Sequence, residues 1–216
     1  MLTDAQIERY SRQILLPEVG GRGQERLLAA RVAVGGERTT AALAATLLAR
    51  AGIGTLLVSA SADTLPEPGP DCRLYRAPGP IEQATADVAV NLVDLTPGET
   101  DAVASGVLLG PGQERKPFVL GLRRGDRILV VTLVGAPCIR CWGQALAPGD
   151  LDGGEGARGA PHPARLALAA LTASETLRVL LSRPTRGRLT AIGFQGGSAC
   201  ARELATEGCS CCAGTA

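Results

Sequence analysis

The sequence predicts an α/β protein: a mixed, mostly parallel sheet with helices on both faces. Three observations carry that expectation. Short runs of Val, Leu, Ile and Ala alternate along the chain with Ala/Leu-rich stretches of helical periodicity. Aromatic residues make up only 2% of the chain, so its core is aliphatic, the usual filling of a sheet covered on both sides. At 216 residues, with 45% hydrophobic and 20% charged, the chain suits one domain around a single core.

The elements follow in order. Residues 3–16 place Ile7, Tyr10, Ile14 and Leu15 at spacings of three and four behind Thr3 and Asp4, the pattern of an N-capped amphipathic helix. Pro17–Gly23 reads as a loop, and Gln24–Ala30 as a short helix leading into a buried strand, Arg31–Gly36, that stops at two glycines. Thr39–Ala51 is a second Ala/Leu-rich helix, ended by Gly52, and Ile53–Ser59 the next strand. Together these form a β-α-β unit of the nucleotide-binding, Rossmann-like type. Five prolines in 60–86 predict a loop-rich crossover. Strands are predicted at Val88–Val93, Val103–Leu109, Pro117–Leu122 and Arg127–Val134, the last antiparallel after the Arg123–Asp126 turn. Gly149–Pro163 is rich in Gly and Pro. Ala164–Leu181 reads as a long helix, Arg188–Phe194 as a late strand, and the tail closes on cysteines.

Composition narrows the functional classes. Lys+Arg is 22 against Asp+Glu 21, and a net charge of +1 offers no general attraction for nucleic acid or an anionic membrane. With so few aromatics, a base-stacking platform is excluded. No apolar run reaches the ~18–20 residues of a membrane helix, and the polar start, Met1 to Asp4, lacks the pattern of a secretory signal. A cytoplasmic protein is expected, in which seven cysteines read as metal ligands or thiols before disulfides.

Cys138-Ile-Arg-Cys141 and Cys209-Ser-Cys-Cys212 are two C-x-x-C pairs. Each such turn lets two thiolates converge on one ion, and two turns complete the closed tetrahedral set of structural zinc. The four expected ligands are Cys138, Cys141, Cys209 and Cys212, stapling the tail to the domain; Cys211 leaves the second pair ambiguous, and a redox dithiol is the alternative. Cys72 and Cys200 read as buried or inert thiols, and His162, between prolines, as a solvated loop residue.

Four stretches, Ile7-Glu-Arg-Tyr-Ser-Arg-Gln-Ile14, Gly20 through Val32, Ala51-Gly-Ile-Gly-Thr55 and Ala136-Pro-Cys-Ile-Arg-Cys141, stand out together. They resemble the ThiF/MoeB/HesA family, bacterial relatives of ubiquitin-activating enzymes. The resemblance implies a Rossmann-like dimer that uses MgATP to adenylate the C-terminal Gly-Gly of a ubiquitin-fold sulfur carrier, with one zinc on two C-x-x-C pairs. It divides the chain into a helical arm over 1–30, a core over 31–134 and a zinc-knuckle and C-terminal portion over 135–216. It also implies that Arg12 reaches the ATP of a partner subunit, and that Asp94 helps to hold magnesium; for each, a surface arginine and a turn aspartate are the plain alternatives.

The departures are as informative. The four glycines of the family phosphate loop fall on Gly36, Arg38, Thr39 and Ala41, so one survives. Such glycines let phosphate approach bare backbone amides. The second strand ends Leu57-Val-Ser-Ala60, without a ribose-binding acid, although Ser59 offers a weaker contact. Asn91 and Lys116 are the only Asn and Lys in the chain. The expectation is a ThiF/MoeB-like subunit that is non-catalytic or partner-dependent, binds a carrier protein or peptide and lends Arg12 to a partner's ATP. Two alternatives stand beside it: an active adenylyltransferase using Arg38 and Thr39 on phosphate, and a zinc-stabilised scaffold. ATP and magnesium are doubtful ligands on this reading; zinc is the expected one.

Overall fold

The computed structural model describes residues 1–59, 67–77, 85–95, 116–134, 162–194 and 197–204. Eight strands form one sheet in the order β3-β2-β1-β4-β5-β6-β7-β8. They are β1 (Arg31–Gly36), β2 (Thr55–Ser59), β3 (Arg73–Ala77), β4 (Val88–Asp94), β5 (Phe118–Arg124), β6 (Arg127–Leu133), β7 (Arg188–Gly193) and β8 (Ser198–Glu203). The first five in space are parallel, and β5 through β8 pair antiparallel. The expected mixed sheet is therefore present. Chain order runs outward in both directions from the β1/β4 boundary, so the crevice for a ligand lies there, at the carboxyl ends of β1 and β4.

Four helices are described: α1 (Asp4–Ile14), α2 (Gly20–Ala29), α3 (Arg38–Arg50) and α4 (His162–Ser182). Residues of α2, α3 and α4 pack with Val32, Val34, Leu56, Val90 and Ile128 in one apolar cluster on one face of the sheet. Alternate residues of the same strands, among them Leu120, Leu122, Leu129 and Val131, are buried in a second cluster on the other face. Both faces thus bury apolar side chains, but the described helices α2, α3 and α4 pack on the first face, and helices on both faces are not seen among the described residues. Period-two side-chain alternation in strands buried on both sides produces these two clusters from nearly continuous apolar runs.

Four expectations need correction. The crossover 60–86 contains a strand, β3, where Arg-Leu-Tyr-Arg-Ala adds to the edge of the sheet with Arg73, Tyr75 and Arg76 exposed. The supposed tail forms β8, whose partner β7 supplies the pairing that Ser-Ala-Cys-Ala-Arg-Glu lacks in propensity. The supposed loop at Pro17–Gly23 already contains the start of α2. A Cβ at Gly23 would stand 2.9 Å from Leu181 Cδ2, so the small residue serves close packing of α2 on α4. His162, expected in a loop, begins α4. The predicted strand at Val103–Leu109 lies outside the described residues.

The N-terminal arm is clamped to the lead-in of β3. Gln6 Nε2 donates to Asp71 Oδ1 at 3.0 Å, Tyr10 Oη to Asp71 Oδ2 at 3.2 Å, and the Arg9 guanidinium to the same carboxylate. Burial pushes the Asp71 carboxyl up, but the Gln6, Arg9 and Tyr10 contacts outweigh it and hold the group below its ordinary range. Burial first, and then the adjacent Asp71 charge, push the Tyr10 phenol up to about 12. Beneath it, Gly52 adopts φ +92°, where a Cβ would meet Gln24 Nε2 at 2.3 Å and the Tyr10 ring at 3.0 Å.

Among the described residues one non-glycine has positive φ. Arg183, just past the end of α4, sits at φ +46° and donates its N–H to the Val179 carbonyl at 3.1 Å. Left-handed backbone costs an L-residue roughly 1–2 kcal/mol, and glycine is the usual occupant of that position.

Candidate functional site

β1 delivers Gly36 and Glu37 to the crevice. Gly36 lies at φ +109°, and a Cβ on it would stand 1.9 Å from the Leu92 carbonyl oxygen and 2.6 Å from Leu92 N. The Glu37 N–H also donates to that carbonyl. The glycine is therefore demanded by the approach of β4 to β1, whatever binds above it.

Glu37 is the residue that sequence reasoning passed over. It is the N-cap of α3, and its carboxylate accepts from Thr39 N at 3.2 Å, Thr40 N at 2.9 Å and Thr40 Oγ1 at 2.6 Å. Unpaired amides and the positive end of the helix dipole make a helix N-terminus an anion site. Here a carboxylate from the chain itself occupies it. Burial pushes the Glu37 carboxyl up, but the bonds from Thr40 and Thr39 and the positive charge of Arg165 more than offset this and hold it below its usual range. The signal in the sequence was an acid immediately ahead of Arg-Thr-Thr at the start of a helix, a capping pattern.

Arg38 and Thr39 are exposed on the first turn of α3, and Ala41 is buried. Across the crevice, Asp94 ends β4. Its two oxygens accept from Arg123 Nε at 2.8 Å and Nη2 at 3.0 Å, and Arg165 Nη2 lies 3.4 Å from Oδ2. Arg123 is 9% exposed and also donates to the Gly125 carbonyl. Such a bidentate, part-buried pair fixes the carboxylate in one orientation. Neither arginine was singled out from the sequence, because both reach Asp94 from distant segments, β5 and the first turns of α4.

The remaining expected residues scatter. Lys116 stands at the opposite end of the sheet, its Nζ donating to the Ala86 carbonyl at 2.8 Å. Asn91 is half-buried within β4, its Oδ1 facing Gly36. Ser59 ends β2, and Arg12 is exposed on α1. Cys72 is buried, which raises its thiol pKa and fits an inert role; Cys200 is exposed on β8, so of the buried-or-inert reading only the second part can apply to it. Cys138, Cys141, Cys209, Cys211 and Cys212 lie outside the described residues. Among the described residues no cluster of His, Cys, Asp or Glu is arranged to hold a metal ion, and no helix is long and apolar enough to cross a membrane.

No family model matches the chain. It is 30% identical over 212 residues to the adenylyltransferase and sulfurtransferase MOCS3 of Anopheles gambiae, covering 84% of this chain and 48% of that protein. It is 29% identical over 175 residues to the vegetative HesA protein of Trichormus variabilis, covering 65% and 64% respectively. The chain thus spans about half to two thirds of the length of these relatives. Among solved structures, E. coli MccB with ATP superposes with a TM-score of 0.64 at 15% identity, over 94% of this chain and 74% of MccB. PaaA superposes with a TM-score of 0.60 at 16% identity, over 95% and 85%. These superpositions carry the fold, the curated relatives carry the lineage, and the chain belongs to the ThiF/MoeB/HesA family of E1-like adenylyltransferases.

Proposed function

We propose that this chain is a ThiF/MoeB-like subunit that holds no ATP by itself. It binds the C-terminal segment of a ubiquitin-fold sulfur carrier or a similar peptide, and pairs with itself or with an active homologue whose nucleotide Arg12 approaches. The observation that carries this reading is Glu37. A triphosphate laid along residues 36–41 would have to displace a carboxylate from three donors and then sit beside its negative charge. Asp94, the residue offered for magnesium, already has its charge balanced by Arg123 and Arg165. Lys116 is at the wrong end of the sheet to meet phosphate. The residues present therefore do not fit MgATP.

The pairing is supported by the arm. Arg12 is exposed, and Leu15 and Leu16, which follow it by three and four residues, are 82% and 51% exposed. Apolar groups beside a cation suit a surface that another subunit covers. Calorimetric titration of the isolated protein with MgATP tests the reading: no heat of binding is expected, and micromolar affinity overturns it. One feature favours the active alternative, the exposed Arg38 beside the crevice, since a guanidinium suits phosphate. Carrier-dependent pyrophosphate exchange by the chain alone would decide for that alternative. A pull-down with ubiquitin-fold proteins ending in Gly-Gly separates both from a scaffold role.

We infer further that Cys138, Cys141, Cys209 and Cys212 hold one structural zinc. The strand register supports this. Thr132 of β6, Arg188 of β7 and Glu203 of β8 form one row across the sheet. Cys138 follows Thr132 by the same six residues that separate Cys209 from Glu203. The two departure points are about 10 Å apart, two strand spacings, which segments of that length span readily. Closed by four thiolates, the ion would leave no position for substrate and would tie the two segments together.

A further inference from the structure

Two cavities open at the end of the sheet away from the crevice, where β1, β4 and β5 begin. One, of about 500 Å³, is walled mainly by aliphatic groups such as Ala30, Val88, Val134 and Leu180, with Arg26, Arg183 and Asp87 as its charged residues. The other, of about 460 Å³, is lined by Arg178, Arg186, Arg188 and Arg202 and one acid, Glu203. Pro184 lines both, so they form one groove with an apolar half and a cationic half.

The balance of charge there is positive: six arginines line the two cavities against two acids, Asp87 and Glu203. Glu175, beneath the floor, is shared by Arg178 at 2.9 Å and Arg188 at 3.7 Å, while Glu203 meets Arg186 at 3.4 Å with both side chains largely exposed. The chain as a whole carries a net charge of only +1. A second, independent observation is the backbone of Arg183. It keeps a long cationic side chain at φ +46°, a place where glycine is easier, and it lines the apolar half. Strain retained beside a cavity points to use of the side chain.

We propose that this groove binds an extended acidic peptide segment, seating an aliphatic residue in the apolar half and carboxylates against Arg183, Arg186 and Arg188. Charge complementarity selects the acid, and the aliphatic half selects a peptide over a bare anion. Among the described residues no aromatic one lines either cavity, so they offer no stacking surface for single-stranded nucleic acid. The groove is separated from the crevice by the length of the sheet, so the inference stands whatever becomes of nucleotide there.

The test is fluorescence anisotropy with a labelled peptide in which two leucines are flanked by glutamates, against its lysine-for-glutamate counterpart, at low and raised salt. Saturable, salt-weakened binding of the acidic peptide alone is expected, reduced about tenfold by Arg186→Glu, a change of ~1.4 kcal/mol. Arg183→Gly is expected to weaken binding severalfold while its Tm stays level or rises by about 2 °C, because the strain is relieved. That combination distinguishes a binding arginine from a structural one. The proposal is overturned if neither peptide saturates, if both bind alike, or if Arg186→Glu binds as well as the parent. Arg183→Gly melting lower with unchanged affinity also overturns it. Inorganic pyrophosphate competing as strongly as the peptide would overturn the choice of a peptide occupant.

Discussion

Replacing Glu37 with alanine removes the carboxylate from the start of α3 and lays bare the amides it now occupies. Three hydrogen bonds are lost, at 3.2, 2.9 and 2.6 Å. Loss of an N-cap costs about 1 kcal/mol. Thr40 is fully buried, and leaving its hydroxyl without an acceptor adds about 1 kcal/mol. The sum, ~2 kcal/mol, corresponds to a Tm lower by about 4–8 °C for a chain of this size. The same change turns the helix N-terminus into a vacant anion site. Pyrophosphate at about a hundred times its Kd then returns ~2.7 kcal/mol, enough to reverse the loss. Differential scanning fluorimetry with and without pyrophosphate reads both effects on one plate. The parent protein is expected to melt at the same temperature in either buffer, while Glu37→Ala starts lower and recovers. An equal pyrophosphate shift in the parent, or a variant that melts with the parent in plain buffer, would refute the assignment of Glu37 to the anion position.

Gly36→Ala would push a methyl group into the Leu92 carbonyl at a φ of +109°, against rigid backbone of β4. It is expected to abolish soluble folding or cost more than about 4 kcal/mol by urea titration, whereas Gly21→Ala, with open space around it, changes stability by less than about 1 kcal/mol. Asp71 has a lowered folded-state pKa, so the stability it contributes is present above its unfolded pKa and fades as pH falls through the folded value. Asp71→Asn is expected to lower Tm at neutral pH and to flatten its fall under acid conditions; an acid limb as steep as the parent's counts against the clamp. Purified protein is expected to carry about one zinc per chain by plasma mass spectrometry, lost in Cys138→Ser and in Cys212→Ser. Full metal content in either serine variant would remove those residues from the ligand set.

Where periodicity and punctuation agreed, local sequence was enough. β1 begins and ends as its apolar run and two glycines imply, the Arg123–Asp126 turn reverses β5 into β6, and the helix read at Ala164–Leu181 lies within α4. The edge strands were hidden for a shared reason. β3 and β8 carry exposed, charged or small residues and owe their conformation to the neighbouring strand rather than to their own side chains. The crevice was legible as a departure from pattern but not as an arrangement. Loss of the glycines was visible, yet Gly36 itself proved to answer to Leu92, and the group filling the anion position was an acid whose target amides lie two and three residues ahead. The Asp94–Arg123–Arg165 cluster joins three segments remote in sequence, and only folding brings them together.

The Asp71 clamp has a bearing on how subunits would meet. Because Gln6, Arg9 and Tyr10 bolt the first helix to the sheet lead-in, the helix cannot swing freely before an encounter. On the pairing proposed above, a guanidinium mounted on it two residues further along would be aimed in advance, and association would forfeit little additional backbone freedom in bringing it to bear. Severing the clamp would leave that guanidinium chemically intact and yet slow to find its mark.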